Sequence, residues 1–312
     1  MESKKLTKNV DEYQQILKKY RQLIKEYHSG AKDFEFCNGY IIQATRNGLG
    51  YTDFEDGLVL FTKRKDGNSF VIVSSVGRDR AERIHIVAEA MWHSTNEVVY
   101  VKNVRRELES KLLGLGLRHY RQEESWNTQA RYDDNTFPEQ VVDVKKLREL
   151  QGPKYQSLRE ELNRFGRKYT IKVKLCKKCS LHKVRGLLAG WVENMHQRNG
   201  WDKKELHRSH EVLLARRKDF FRYRVNDEKN KPIGFLVFSE VSPQCLGYNA
   251  LINDFNYQNL YRKLLFEGAR IADEAGYHYL NLQGSEDEDQ YLSKRRLKAS
   301  LEIRKTHLVF EG

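Results

Sequence analysis

The stretch LQGPKYQSLREELNRFGRKY, Leu150 to Tyr169, divides the chain and decides how its two flanks are read. Gly152 and Pro153 punctuate its start. Beyond them Tyr155, Leu158, Leu162, Phe165 and Tyr169 recur at spacings of three and four, the period of a helix. The other face carries Arg159, Glu160, Arg164, Arg167 and Lys168, so this helix buries one side and presents mostly positive charge on the other. A basic hinge helix between two patterned segments predicts two domains, 1–149 and 170–312, with 150–169 as the linker. The 312 residues suit that division, since a domain averages roughly 150.

No apolar run approaches the roughly 20 residues needed to span a bilayer, and the N-terminus MESKKLTKNVDEYQQILKKY lacks the apolar core of a secretory signal. A soluble, cytoplasmic protein is expected. Cys37, Cys176, Cys179 and Cys245 are too few and too unevenly spaced for a disulfide framework, so reduced thiols are expected. The formal charge of +13 favours a polyanionic partner, either nucleic acid or an anionic membrane surface, and a generic basic surface is the simpler alternative.

In the first half, Val10 to Tyr27 reads as a helix with Tyr13, Ile16, Leu17, Tyr20, Leu23 and Ile24 on one side. From Phe34 to Leu60, aromatic and β-branched segments are broken by Asn38-Gly39, Asn47-Gly48 and Asp56-Gly57, which predicts an antiparallel meander. Ser69 to Val76 is a buried strand that runs into Gly77, Arg78, Asp79 and Arg80 and then a helical pattern. Such a turn can hold an anion on free backbone N–H groups, although an ordinary strand-to-helix joint explains it as well. A further strand (97–102), a helix (104–113), a strand at LRHY and the strand VVDV complete this half.

The second half repeats the order. After a short strand at 170–173 come a long helix from about Lys183 to Asn199 and a second helix, LHRSHEVLLARR. Three meander strands follow, RKDFFRYRV, PIGFLVFSEV and LGYNALIN. Asn256 to Ala275 is the clearest helix in the chain, closed by Gly276, and YHYLNL is the strand after it. Beyond lie the loop Gln283-Gly284-Ser285-Glu286 and a helix-like segment, YLSKRRLKASLE. Meander, strand, helix and strand therefore occur twice, without a residue-level repeat.

That order resembles the GNAT-type acyltransferase fold, present twice. Three pieces make the resemblance more specific: the hinge with its Asn163-Arg164-Phe165, the segment FEGARIADEAGYHYLNL, and the loop Gly284-Ser285-Glu286. With them the chain resembles the soluble catalytic domain of phosphatidylglycerol lysyltransferases, which shares its tandem fold with Fem-type aminoacyltransferases. Gln283 stands where a second glycine is common in the family, and LSKRRLKASLE replaces a Lys-Phe motif. The resemblance implies an α/β fold of two mixed sheets flanked by helices and joined by the linker helix, with the active site in the second half. It implies transfer of an aminoacyl group from aminoacyl-tRNA, as co-substrate and with no other cofactor, to an amine or hydroxyl of a lipid, peptide or small molecule.

An aminoacyl ester is already activated, so such an enzyme needs positioning, a donor to the developing oxyanion, and a base. Glu286, after a strand end, is the expected functional carboxylate, with Ser285 and Asn281 beside it; a solvated Glu in a capping turn is the plain alternative. Gly284, Tyr248 and Asn249 are expected at the substrate. Arg159, Arg164, Lys294, Arg295 and Arg296 are expected to meet tRNA phosphates, each neutralised phosphate releasing counterions. Peripheral contact with a membrane remains compatible with the charge.

Two other functions compete. An acetyl-CoA-dependent N-acetyltransferase wants a glycine-rich turn at a helix start, and LINDFNYQNLYRK has no glycine. A non-catalytic, zinc-dependent nucleic-acid-binding protein would use Cys176, Cys179 and His182, completed by His207, His210 or Cys245; one CxxC without a second pair makes a metal site the poorer reading. His85, His93, His119 and His196 have apolar neighbours and read as packed or surface histidines. Phe220, Phe221 and Tyr223, interleaved with Arg222 and Arg224, suit base stacking but also ordinary alternation in a strand.

Overall fold

A computed structural model describes residues 4–7, 10–45, 48–64, 69–120, 137–176, 181–214, 219–285 and 288–312. In chain order they form β1 (Lys4–Thr7), α1 (Val10–Tyr27), a 3-10 turn (Phe34–Phe36), α2 (Asn38–Ala44), β2 (Leu49–Phe54), β3 (Gly57–Lys63), β4 (Phe70–Gly77), α3 (Arg80–Thr95), β5 (Val99–Arg105), α4 (Arg106–Gly114) and β6 (Arg118–His119). Then come β7 (Glu139–Asp143), α5 (Val144–Glu149), α6 (Gln156–Lys168), β8 (Ile171–Leu175), α7 (Leu181–Asn199), α8 (Lys203–Leu214), β9 (Phe221–Asp227), β10 (Pro232–Ser242) and β11 (Cys245–Asn253). The chain closes with α9 (Leu260–Glu274), β12 (Tyr279–Asn281), α10 (Glu288–Arg295), β13 (Leu301–Ile303) and β14 (Lys305–Phe310).

Two seven-stranded mixed sheets result, ordered β1-β2-β3-β4-β5-β14-β6 and β13-β7-β12-β11-β10-β9-β8. The duplication holds at the level of register. In the first sheet β4 pairs in parallel with β5 through Phe70↔Val99 to Ile72↔Val101, then diverges from it. In the second, β11 pairs in parallel with β12 through Cys245↔Tyr279 to Gly247↔Asn281, then diverges. In each sheet the central strand also carries one extra residue opposite its hairpin partner: Val73 opposite β3 and Asn249 opposite β10. This is a tandem GNAT-like fold.

The division of strands departs from the one expected at residue 149. β7, from the first half, pairs with β12 and β13 in the second sheet, and β14, the C-terminal strand, pairs with β5 and β6 in the first. Each half thus lends a strand to the other. Three cores follow. One lies under the first sheet against α3 and α4, and one under the second sheet against α5, α6 and α9. The third fills the space between the sheets, where Leu17 and Tyr20 of α1 and Ile41 and Ile42 of α2 meet Trp191 of α7, Leu213 of α8 and Phe235 of β10.

Residues 34–44 are helical rather than a strand of the expected meander, which begins at Leu49. Asn38-Gly39 opens α2 instead of turning a hairpin, because α2 lies between the sheets, where Gly39 lets it approach β11: a Cβ there would overlap the Asn249 amide. The Gly77 turn does not offer a free anion site. Its N–H donates to His28 Nε2 (3.2 Å), Arg80 pairs with Glu35 (2.9 Å), and Arg83 with Asp56. The protein's own acids occupy that helix start. Cys37 and Cys245 are buried free thiols, whereas Cys176 is disulfide-bonded, against the expectation of a reduced chain, and its sulfur cannot serve as a zinc ligand.

Candidate active site

The divergence of β11 from β12 opens onto a cleft of about 1670 Å³ between the two sheets. The first sheet contributes Lys63, Arg64, Val71, Val73 and Lys102; α7 and α8 form a second wall, and the start of α9 with α10 a third. Among the lining residues eight cations stand against four acids, Asp202, Glu205, Glu288 and Asp289, and none of the acids comes from the first sheet. A concave surface of that balance concentrates anionic ligands.

The bulge of β11 lines this cleft. The β10–β11 register passes from Val237↔Ala250 to Phe238↔Tyr248, leaving Asn249 as the extra residue. Its side chain is fixed from two sides: Oδ1 accepts from the Ser239 hydroxyl (2.8 Å) and Nδ2 donates to Cys37 Sγ (3.3 Å). Ser239 Oγ in turn accepts from the Gly39 N–H (2.9 Å). Gln283 Nε2 crosses the open V to donate to the Asn249 carbonyl (3.4 Å). Burial pushes the Cys37 thiol up, so it is a neutral packing group and not a nucleophile. Tyr248, alongside, is also neutral: burial raises its phenol well above the ordinary value, and it donates to Leu264 O (3.4 Å).

The residues singled out in the sequence separate into three places. Tyr248, Asn249 and Lys294 line the cleft, joined by Gln283, which sequence reasoning treated only as a departure from a family pattern. Asn281, Gly284 and Ser285 lie behind that surface. Asn281 is fully buried, its Nδ2 donating to Lys32 O (2.6 Å) and Glu139 Oε2 (2.8 Å) while its Oδ1 accepts from Gln283 N–H (2.7 Å). It positions Gln283. Lys294 is buried as well and donates to the Gly284 carbonyl, which makes it a fastener of the 282–285 loop rather than a surface phosphate contact. Ser285 bridges to Phe137, and its buried hydroxyl has no hydrogen-bond partner among the described residues. Glu286 lies outside the described residues.

Outside the cleft, Arg159 donates to the Leu150 carbonyl and to that of Gly152 (2.9 Å), closing its own hinge. Arg164 is exposed on α6. Arg295 lies over Tyr291, and Arg296 pairs with Glu161 (3.0 Å).

The sequence pattern offers His210 only as a candidate metal ligand. Among the described residues no group of three or more His, Cys, Asp or Glu could hold a metal ion. The ring instead lines the cleft from α8, packed at a tilt of 50° against Trp191 of α7 with the ring centroids 4.7 Å apart. Burial lowers its pKa to about 4, so it is neutral. At the N-terminus of α9, Gln258 to Arg262 also line the cleft, with Asn259 in the left-handed conformation and no glycine.

The sequence matches the family described as phosphatidylglycerol lysyltransferase, C-terminal, over residues 25–312. No curated protein matches it significantly in sequence. Similar structures include a conserved protein of unknown function from Bacteroides thetaiotaomicron VPI-5482 (TM-score 0.69, 14% identity, 94% of this chain and 96% of that one). They also include L-PGS from Bacillus licheniformis (TM-score 0.63, 14% identity, 94% and 91%) and FemX (TM-score 0.62, 10% identity, 99% and 97%). At such identities the likeness is one of fold. Among the described residues no helix is long and apolar enough to cross a membrane.

Proposed function

The chain belongs to the phosphatidylglycerol lysyltransferase C-terminal family, and from that membership and the cleft we propose that it moves an aminoacyl group from an aminoacyl-tRNA to a hydroxyl or amine acceptor. The observation that carries this reading is the splayed edge of β11, with its bulge at Asn249, at the floor of a cationic cleft. A strand edge released from its neighbour presents peptide groups to an incoming acyl carbonyl. Donors fixed before the substrate arrives stabilise the charge that develops on the carbonyl oxygen without reorganising.

The tRNA ester is an activated acyl group, so attack by the acceptor needs no enzyme-bound intermediate, and neither buried free thiol offers a thiolate to make one. Arg198, Lys204, Arg208 and Arg262, on the walls built from α7, α8 and α9, face the phosphates of the donor's acceptor end. The acceptor enters along the first sheet, past Lys63, Arg64 and Lys102. Acetyl-CoA is the poorer donor because the start of α9 has no glycine turn to let backbone close around a pyrophosphate.

The test is to incubate the protein with a pool of tRNAs charged with labelled amino acids, with and without phosphatidylglycerol vesicles or cell extract. Loss of one amino acid from tRNA into a new product is the expected result. No affinity for charged tRNA at low salt, together with tight binding of acetyl-CoA, overturns the proposal.

A further inference from the structure

We propose that His210 is the general base of the transfer, an inference that rests on the reaction proposed above. Four features of the ring's setting support it. α8 packs on β11 and on α2, so His210 faces the same cleft as Tyr248, Asn249 and Gln283. Trp191 packs against the imidazole, its ring tilted by 50° with the centroids 4.7 Å apart, and confines it on that side. Its Nδ1 lies 2.9 Å from the carbonyl oxygen of Leu206, one turn earlier on the same helix. A carbonyl can only accept, so Nδ1 carries the hydrogen and Nε2 carries the lone pair. Among the described residues nothing engages Nε2, and in a neutral ring held this way it is the atom open to proton transfer.

The step balances without a further reactant. As the acceptor's oxygen or nitrogen forms its bond to the ester carbonyl carbon, its proton passes to Nε2, giving an imidazolium and a tetrahedral intermediate. Collapse breaks the bond between that carbon and the ribose oxygen, and Nε2–H returns the proton to the leaving oxygen. The products are the aminoacylated acceptor, free tRNA and the neutral ring. Two other histidines are spoken for: His28 Nε2 accepts from Gly77 N–H, and His196 Nδ1 donates to Trp201 O at 2.7 Å.

Two substitutions separate chemistry from structure. His210→Asn keeps an N–H near the Leu206 carbonyl but has nothing in place of Nε2; His210→Ala leaves a hole beside Trp191 that free imidazole can enter. Lysyl-tRNA with phosphatidylglycerol vesicles is the first probe, followed by the charged-tRNA pool. The expected result is a fall in kcat of about 100-fold or more in both variants with KM for the tRNA little changed, and recovery on adding imidazole in His210→Ala alone. Retention of wild-type kcat by His210→Asn overturns the proposal, as does a fall in both variants that imidazole does not restore. Wild-type protein that consumes no charged tRNA removes the reaction itself, and the base with it.

Discussion

Lys305, the first residue of β14, forms an ion pair with Glu139, the first residue of β7, and both side chains are buried. These are the two strands that change sheets. The pair therefore sits where the halves exchange chain, and its surroundings are ionic: Asp33 pairs with Arg105 (3.0 Å), while the Phe34 N–H donates to Glu139 (3.0 Å). Burial works against the Lys305 ammonium, yet the fields of Glu139, Glu35 and Asp33 outweigh it and raise its pKa. Lys305→Met leaves a buried carboxylate uncompensated and should cost about 3–5 kcal/mol in denaturant unfolding. Adding Glu139→Gln removes that charge while keeping an oxygen for Phe34 and Asn281, so the double variant should recover most of the stability. A double variant no more stable than Lys305→Met would show that the pair does not fasten the exchange.

The bulge depends on a glycine of α2. A Cβ at Gly39 would overlap the Asn249 amide, which Ser239 and Cys37 already hold in place. Gly39→Ala must displace Asn249 or push α2 off β11, an overpacking that costs about 1–3 kcal/mol. Transfer should fall more than stability does, because Asn249 lines the cleft. Gly30→Ala, where a Cβ meets nothing within 4 Å, is the control and should leave both unchanged. Equal activity in the two variants would detach the bulge from function.

The fold was legible wherever a single element carried its own period. The apolar stripe of α1, the linker helix and α9 with its stop at Gly276 all follow from spacing alone. Sheet membership was not legible, since nothing local in EQVVD or KTHLVF says which sheet a five- or six-residue strand joins. Residues 34–44 show no clear period for a related reason: Phe34, Phe36, Cys37, Ile41 and Ile42 are buried between two sheets, and short apolar runs broken by Asn38-Gly39 fit strand and turn as well as helix. In the site, Tyr248 and Asn249 could be named because they lie on a recognisable strand. His210 carries no local signal. Its role arises from the meeting of α8, Trp191 of α7 and the bulge of β11, which no spacing encodes.

Two histidines make stability depend on pH. Burial lowers both His28 and His210 to about 4, with Arg80 adding to the effect on His28. In the unfolded chain each titrates near 6.5, so between pH about 6.5 and 4 the unfolded state binds more protons. Their contribution is complete above pH 6.5 and disappears as pH falls toward 4, by roughly 1–2 kcal/mol each once solvent screening is allowed for. Melting temperature should drop between pH 7 and 5, and His28→Gln should reduce that drop. An unchanged pH slope in His28→Gln would exclude it as a source.

The linker helix should separate into a structural arginine and a binding one. Arg159 holds the carbonyls of Leu150 and Gly152, where Leu150 has a left-handed backbone (φ 51°) and closes α5. Among the described residues Arg164 makes no such hydrogen bond; it stands exposed on the same helix as Arg167 and Lys168. If tRNA lies along this face, Arg164→Ala with Arg167→Ala should weaken it on all tRNA sequences alike. The slope of log affinity against log salt should then fall by about 0.7–0.9 for each phosphate that is no longer neutralised, with melting temperature unchanged. Arg159→Ala should do the opposite, lowering the melting temperature and leaving the salt slope alone. Filter binding at several salt concentrations decides it: an unaltered slope in the Arg164/Arg167 variant would make the exposed face of α6 a solvated surface and confine tRNA binding to the cleft.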